Sequence, residues 1–188
     1  MEKGKVRFVV IATLIISCLV SPAFAEKAYL SDIAITTNSN HLVVYLRVNN
    51  CFTEEMDRAI DSGILTTFNF FIQLYERRNY WWDSKIASLE VRHSIKYDNI
   101  KKSYEVTLSE RENETITVKD FDQAKKIMSE IVAYKVIPIR YLKKDRHYQI
   151  QMMAQLDKIK LPLSLHYVLF FLSLWDFETD WYTLNFRI

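Results

Sequence analysis

Apolar side chains recur at every second position along most of this chain, and that alternation limits its fold more than any other feature. A residue pair two apart lies on one face of a strand, so period-two runs predict strands with one buried and one wet face. Tyr29 to Thr36 reads as a first strand and His41 to Asn49 as a second, with Leu42, Val44, Leu46 and Val48 on one face. Leu65 to Arg77 is longer, placing Phe68, Phe70, Ile72 and Leu74 inward and Asn69, Gln73 and Arg77 outward. Lys85 to Tyr97 and Ser103 to Ser109 are expected to pair as a hairpin around Asp98-Asn99. Arg146 to Leu156 sets Tyr148, Ile150, Met152 and Ala154 against Gln149, Gln151, Met153 and Gln155, and Asp180 to Ile188 alternates again.

Glycine is almost missing. Gly4 and Gly63 are the only two, so tight turns must use Asn and Asp, which tolerate the left-handed region and bond their own main chain. Asn38-Ser39-Asn40, Asn49-Asn50, Asp98-Asn99, Glu112-Asn113-Glu114 and Lys144-Asp145 stand where turns are needed. The same scarcity rules out a phosphate-cradling loop, a dinucleotide fingerprint and a G-x-S-x-G nucleophile elbow, each of which needs several glycines. Two helices interrupt the strands. Thr53 caps the first, with Glu54 and Glu55 in its opening turn, Met56, Ala59 and Ile60 as its apolar stripe and Gly63 as its stop. The second is expected over Asp120 to Val132, with Asp120 and Gln123 as a capping box and Phe121, Ala124, Ile127, Met128 and Ile131 facing the sheet. Together these predict a β-dominated α+β fold, an antiparallel sandwich-like arrangement with two covering helices.

The N-terminus carries an export pattern. Lys3, Lys5 and Arg7 precede an apolar run from Phe8 to Val20, broken only by Thr13, Ser17 and Cys18, and Ala23 and Ala25 stand where a signal peptidase reads small residues. The run is short for a membrane-spanning helix, which needs about 20 apolar residues. Ile15-Ile16-Ser17-Cys18 loosely resembles a lipoprotein box, but Ile16 occupies a position where a small residue is usual. Cleavage after Ala25 is therefore expected, with residues 1–25 a signal peptide and 26–188 a single exported, periplasmic or secreted domain. The formal charge of +2 then falls to zero, because Lys3, Lys5 and Arg7 leave with Glu2. That balance argues against a nucleic-acid partner. Cys51 remains alone, so stability must come from packing rather than a disulfide.

No motif carries identifiable catalysis. His41, His93, His147 and His166 show no metal-ligand spacing, and surface or edge positions account for them. Asp176, Glu178 and Asp180 alternate like the opening of a calcium loop but lack its glycine and its distal acid, so a solvated acidic turn is expected. No cofactor or metal is expected. Trp81-Trp82 closes an aromatic stretch from Asn69 to Asp83. Neighbouring strand residues face opposite ways, so one ring fills the core while the other covers an edge, or exposed rings stack on a sugar. Leu161 to Phe177 is the most apolar stretch after the signal, too interrupted for a transmembrane helix and without a basic polar face for a membrane surface. It either packs under the sheet or offers Leu169, Phe170, Phe171 and Trp175 to a partner.

Several of these pieces occur together in one family. A short helix ending in Ser62-Gly63-Ile64, the strand Leu65 to Arg77 running into Trp81-Trp82-Asp83, Tyr97-Asp98, Tyr104-Glu105-Val106, the helix from Asp120 to Ile131, Leu156-Asp157-Lys158-Ile159-Lys160-Leu161-Pro162 and Trp181 near the C-terminus resemble the bacterial exported proteins grouped as domain of unknown function 4390. The resemblance implies a periplasmic location, no established activity and, because relatives are often encoded beside membrane sensor kinases of the nitrogen-regulation type, an accessory signalling role. The resulting expectation is a non-catalytic interaction module for an inner-membrane or periplasmic protein, with membrane contact at most peripheral. Its contact surface is Trp81, Trp82, Leu169, Phe170, Phe171 and Trp175. The alternative is a small-ligand or carbohydrate-binding domain using the same aromatics, with an enzyme of unknown type third.

Overall fold

Nine strands and two α-helices make up the computed structural model, which describes residues 27–78, 82–157 and 177–188. In chain order they are β1 (Tyr29–Thr37), β2 (His41–Asn49), α1 (Glu54–Asp61), β3 (Thr66–Glu76), β4 (Ser84–Asp98), β5 (Ser103–Leu108), β6 (Glu114–Val118), α2 (Phe121–Ser129), β7 (Glu130–Pro138), β8 (His147–Leu156) and β9 (Tyr182–Arg187). Short 3-10 turns follow β5 at Ser109–Arg111 and β7 at Ile139–Tyr141. All pairing is antiparallel. The strands form a three-stranded sheet, β1-β2-β7, and a six-stranded sheet, β6-β5-β4-β3-β8-β9, neither closed into a barrel.

The alternation does what it predicts. Phe68, Phe70, Ile72 and Leu74 of β3 are wholly buried, and Tyr148, Ile150, Met152 and Ala154 of β8 stand on the same inner face beside them. Leu42, Val44, Leu46 and Val48 come from the smaller sheet, and one hydrophobic cluster joins the two. Each such side chain contributes about 1.5–3 kcal/mol by leaving water. Asn69 departs from the expectation, being outward-facing by parity yet only 6% exposed.

Turns follow the glycine-poor rule. Asn38 Oδ1 accepts from the Asn40 and His41 amides, and Asp98 Oδ1 from those of Ile100 and Lys101. Asn50, Lys102, Glu112, Asn113 and Asp145 take positive φ at the chain's turns, and Gly63 (φ +85°) stops α1. Thr53 caps α1 through the Met56 amide, and Met56, Ala59 and Ile60 are its buried stripe. Tyr104 of β5 donates to Asp61 at 2.7 Å and stacks on Phe121, fastening both helices to the larger sheet. Lys125 of α2 reaches Asp57 of α1 at 3.2 Å and lies 4.4 Å over the Phe121 ring.

The second helix is shorter than its sequence pattern. It ends at Ser129, and Glu130 is already extended (φ −113°, ψ 134°), so Ile131 is buried from a strand rather than a helix. The strand that follows, β7, was hidden by a bulge. Ala133 takes φ +56° and the β2 register slips between Val44 and Leu46, so apolar residues on either side lose their common parity. Strand β6 is an edge strand with mostly exposed residues and shows no buried face for alternation to mark.

Asp120 caps α2 by accepting the Gln123 amide at 2.7 Å. Asp120→Ala is expected to cost about 1 kcal/mol, and Asp120→Asn much less, because asparagine keeps the acceptor. Urea midpoints of the two variants read the difference; equal losses would mean that the cap contributes nothing.

Candidate functional site

One end of the six-stranded sheet gathers more chemistry than any other described surface. Register brings the close of β3 (Glu76) opposite the opening of both β4 (Ser84) and β8 (Tyr148), and the close of β9 (Arg187) opposite His147. The connection from β3 to β4 is tied by Asp83, which accepts the Arg78 amide at 3.2 Å and pairs with the Arg77 guanidinium at 3.2 Å. The Arg77 amide donates to the His147 carbonyl at 2.8 Å. From this connection Trp82 projects into solvent, 89% exposed.

Behind it lies an open groove of about 520 Å³ lined by Arg77, Arg78, His147, Tyr148 and Asn185. Tyr148 forms its floor, with its ring buried and its hydroxyl taking the Lys143 amide at 2.7 Å. Lys143 and Arg146 both reach Glu76, at 3.6 and 3.8 Å, and Arg187 reaches Asp145 at 2.9 Å. Among the described residues, its lining carries the guanidinium groups of Arg77 and Arg78, which can donate to anionic oxygens.

A second open groove, of about 480 Å³, runs past Arg47, Cys51, Phe52, Lys125, Ser129 and Glu130. Arg47 bridges three strands there, pairing with Asp32 of β1 and Glu130 of β7. Cys51 is 3% exposed, and burial pushes its thiol up to about 12. It is expected to resist a thiol-specific disulfide reagent at pH 8 and to react only on unfolding, since the thiolate is the reactive form. Fast labelling of the native protein would overturn that.

The histidine expectation fails at one position. His93 is completely buried, not at a surface or edge. It lies between Val91 and Ile95 on the inward parity of β4, and that spacing was available in the sequence. Its Nδ1 lies 3.0 Å from the Met128 carbonyl at the end of α2, which can only accept, so Nδ1 carries hydrogen. Its Nε2 lies 3.0 and 3.1 Å from the two carboxylate oxygens of Glu110. Burial pushes the Glu110 carboxyl up, but the His93 hydrogen bond and charge, with help from backbone and Arg111, outweigh it and hold the carboxyl below its ordinary value. This buried pair joins β4, α2 and the 3-10 turn after β5. It opens on neither groove and is structural.

Of the contact residues expected from sequence, Trp82 is exposed next to Asp83, which holds Arg77 and the Arg78 amide. Trp81, Leu169, Phe170, Phe171 and Trp175 lie outside the described residues, as do His166, Asp176 and residues 1–26. Glu178 and Asp180 are exposed, and Asp180 pairs with Lys27 at 2.7 Å. Among the described residues, no three His, Cys, Asp or Glu side chains are grouped to hold a metal, and no helix is long and apolar enough to cross a membrane. Sequence reasoning missed the cationic cluster because its members come from three connections far apart in the chain.

Fold and surface together define a β-rich, sandwich-like α+β protein with a basic, aromatic end. The chain belongs to the family described as domain of unknown function (DUF4390), whose model matches residues 25–185. No curated protein and no solved structure matches it.

Proposed function

We propose that the protein is a non-catalytic interaction module of the cell envelope, exported by its N-terminal signal, which meets its partner with the Trp82 end of the six-stranded sheet. One observation carries this reading: an indole 89% exposed next to Asp83, which pairs with the Arg77 guanidinium and accepts the Arg78 amide. Tryptophan and arginine dominate the binding energy of interfaces, and a monomer gains nothing from holding an indole in water. An open recognition groove suits docking better than capture of a small molecule, which favours enclosed cavities.

A photoreactive amino acid placed at position 82 in intact cells tests this. A specific adduct is expected there and none at position 100, where Ile100 is 95% exposed at the opposite end of the sheet. No adduct at position 82, combined with thermal stabilisation by a soluble saccharide, would instead favour the ligand-binding alternative.

A further inference from the structure

We infer that the basic end of the six-stranded sheet docks on an anionic phospholipid surface, with Arg77, Arg78 and the loop before β8 against the headgroups and Trp82 at the interface. This rests on the interaction reading above and names the partner class for the same surface.

The argument begins with register. Antiparallel pairing brings three separate connections to one end of a rigid sheet: the β3–β4 connection, the loop from Leu142 to Arg146, and the C-terminus after β9. They carry six cations, Arg77, Arg78, Lys143, Lys144, Arg146 and Arg187, all exposed. Against them stand the side chains of Glu76, Asp83 and Asp145, and the terminal carboxylate of Ile188. Among the described residues, Arg78 and Lys144 make no ion pair, so no described carboxylate neutralises them.

Residues 26–188 carry no net formal charge, so the basic excess at this end is a local feature that the rest of the chain balances. A local basic excess is drawn toward an anionic surface once within a Debye length, about 8–10 Å at physiological salt. Guanidinium forks match phosphate oxygens geometrically. Indole rings favour the headgroup level, where an apolar body and one N–H are both accommodated. Trp82, exposed just before the start of β4 and next to Asp83, which ties Arg77 and Arg78, meets that requirement. Tyr141, 59% exposed just before the same basic loop, adds a second amphipathic ring. A protein partner would place an acidic patch against these cations. A bilayer satisfies exposed cations and aromatics together, and that combination favours lipid.

Co-sedimentation with vesicles tests the assignment, using the protein as cells deliver it. One set contains one part phosphatidylglycerol to two of phosphatidylcholine; the other is phosphatidylcholine alone. Residues 8–20, if retained, would insert into both, so the difference between sets reads the basic end. Each basic residue near an anionic surface is worth about fivefold in partitioning. The double variant Arg78→Glu/Lys144→Glu is therefore expected to lose more than about tenfold on anionic vesicles, with its circular dichroism unchanged. High salt should produce a similar loss.

Trp82→Ala is expected to weaken binding with the charge intact. A charge-matched control at the far end, Lys102→Glu/Lys119→Glu, is expected to bind anionic vesicles far better than the double variant. Equal binding to both vesicle sets, or an equal loss in the far-end control, would overturn the proposal. An adduct at position 82 to a protein, without vesicle binding, would remove the lipid assignment and leave the interaction module standing. Absence of both would remove both.

Discussion

His93→Leu is expected to destabilise the protein by about 3–5 kcal/mol, although leucine fills much of the imidazole's volume and adds no polar atom. Removing one member of a buried ion pair leaves the other uncompensated, and that penalty exceeds the worth of the pair. Here the orphan is Glu110, whose side chain is only 9% exposed and whose carboxylate faces His93 with both oxygens. The Met128 carbonyl, at the end of α2, loses its donor at the same time. Phe70 loses a ring partner at 4.9 Å. For a chain of this size that corresponds to a fall in Tm of roughly 10 °C. The double variant His93→Leu/Glu110→Leu should recover much of the loss, since it removes the orphaned carboxylate together with its partner. If the double variant is as unstable as the sum of the singles, the coupling is absent and the site is ordinary packing.

The same pair sets an acid limit. Glu110 has a folded-state pKa held below its unfolded value. Its contribution to stability is therefore fully present above the unfolded value, about 4.3, and is lost as pH falls through the lower folded one. The urea midpoint of the native protein should drop below about pH 4.5 more steeply than that of Glu110→Gln, which has no carboxylate to protonate. Groups facing Glu110 from other elements include Tyr134 of β7, whose phenol burial and then Glu110 itself push up, and Arg111 beside it. His93 faces the carboxylate directly, so a difference between the two profiles belongs to the His93–Glu110 pair. Parallel profiles would show that the carboxylate is equally solvated in both states.

What was legible in the sequence follows from what alternation can encode. Strand β2 and the inner faces of β3 and β8 stand as expected because each is a central strand, although Met153, expected on the outer face of β8, is buried as well. Both helices were visible through their caps and stripes. Strand β7 was not, because a left-handed Ala133 inverts parity midway, and the preceding helix passes into it without a breaker residue. His93 was misjudged on residue type, although its parity matched Val91 and Ile95. The site divides the same way. Trp82 was legible only as one of two neighbouring indoles, one expected in the core and the other over an edge; its exposure in the β3–β4 connection was not. Its companions were not: Arg78 and Lys144 meet through sheet register, which no local pattern records.

Phe68→Ala is expected to cost about 3–5 kcal/mol, the usual penalty for emptying a large aromatic site in a core that cannot collapse around it. Phe68 is wholly buried on central strand β3, and its ring meets Phe52 at 5.2 Å and Phe177 edge-on at 4.7 Å. Those contacts join three distant parts of the chain. Phe52 belongs to the passage from β2 into α1, and Phe177 opens the stretch that leads to β9. Around Phe177, the Leu156 amide donates to its carbonyl at 3.0 Å, the Thr179 amide donates to the Ala154 carbonyl at 2.9 Å, and the Thr179 hydroxyl accepts from the Ala154 amide at 3.0 Å. Loss of the Phe68 ring should therefore weaken more than the core. Amides of Leu156 and Thr179 are expected to exchange faster than those at the centre of the three-stranded sheet, because the stretch they anchor loses its apolar support. Phe68→Leu, which keeps most of the volume, should retain more than half the stability lost in the alanine variant. Uniform acceleration of exchange across both sheets would mean that Phe68 only adds to global stability. A cost below about 1 kcal/mol would mean that neighbouring side chains close the gap and that β9 is held by its ladder with β8 alone.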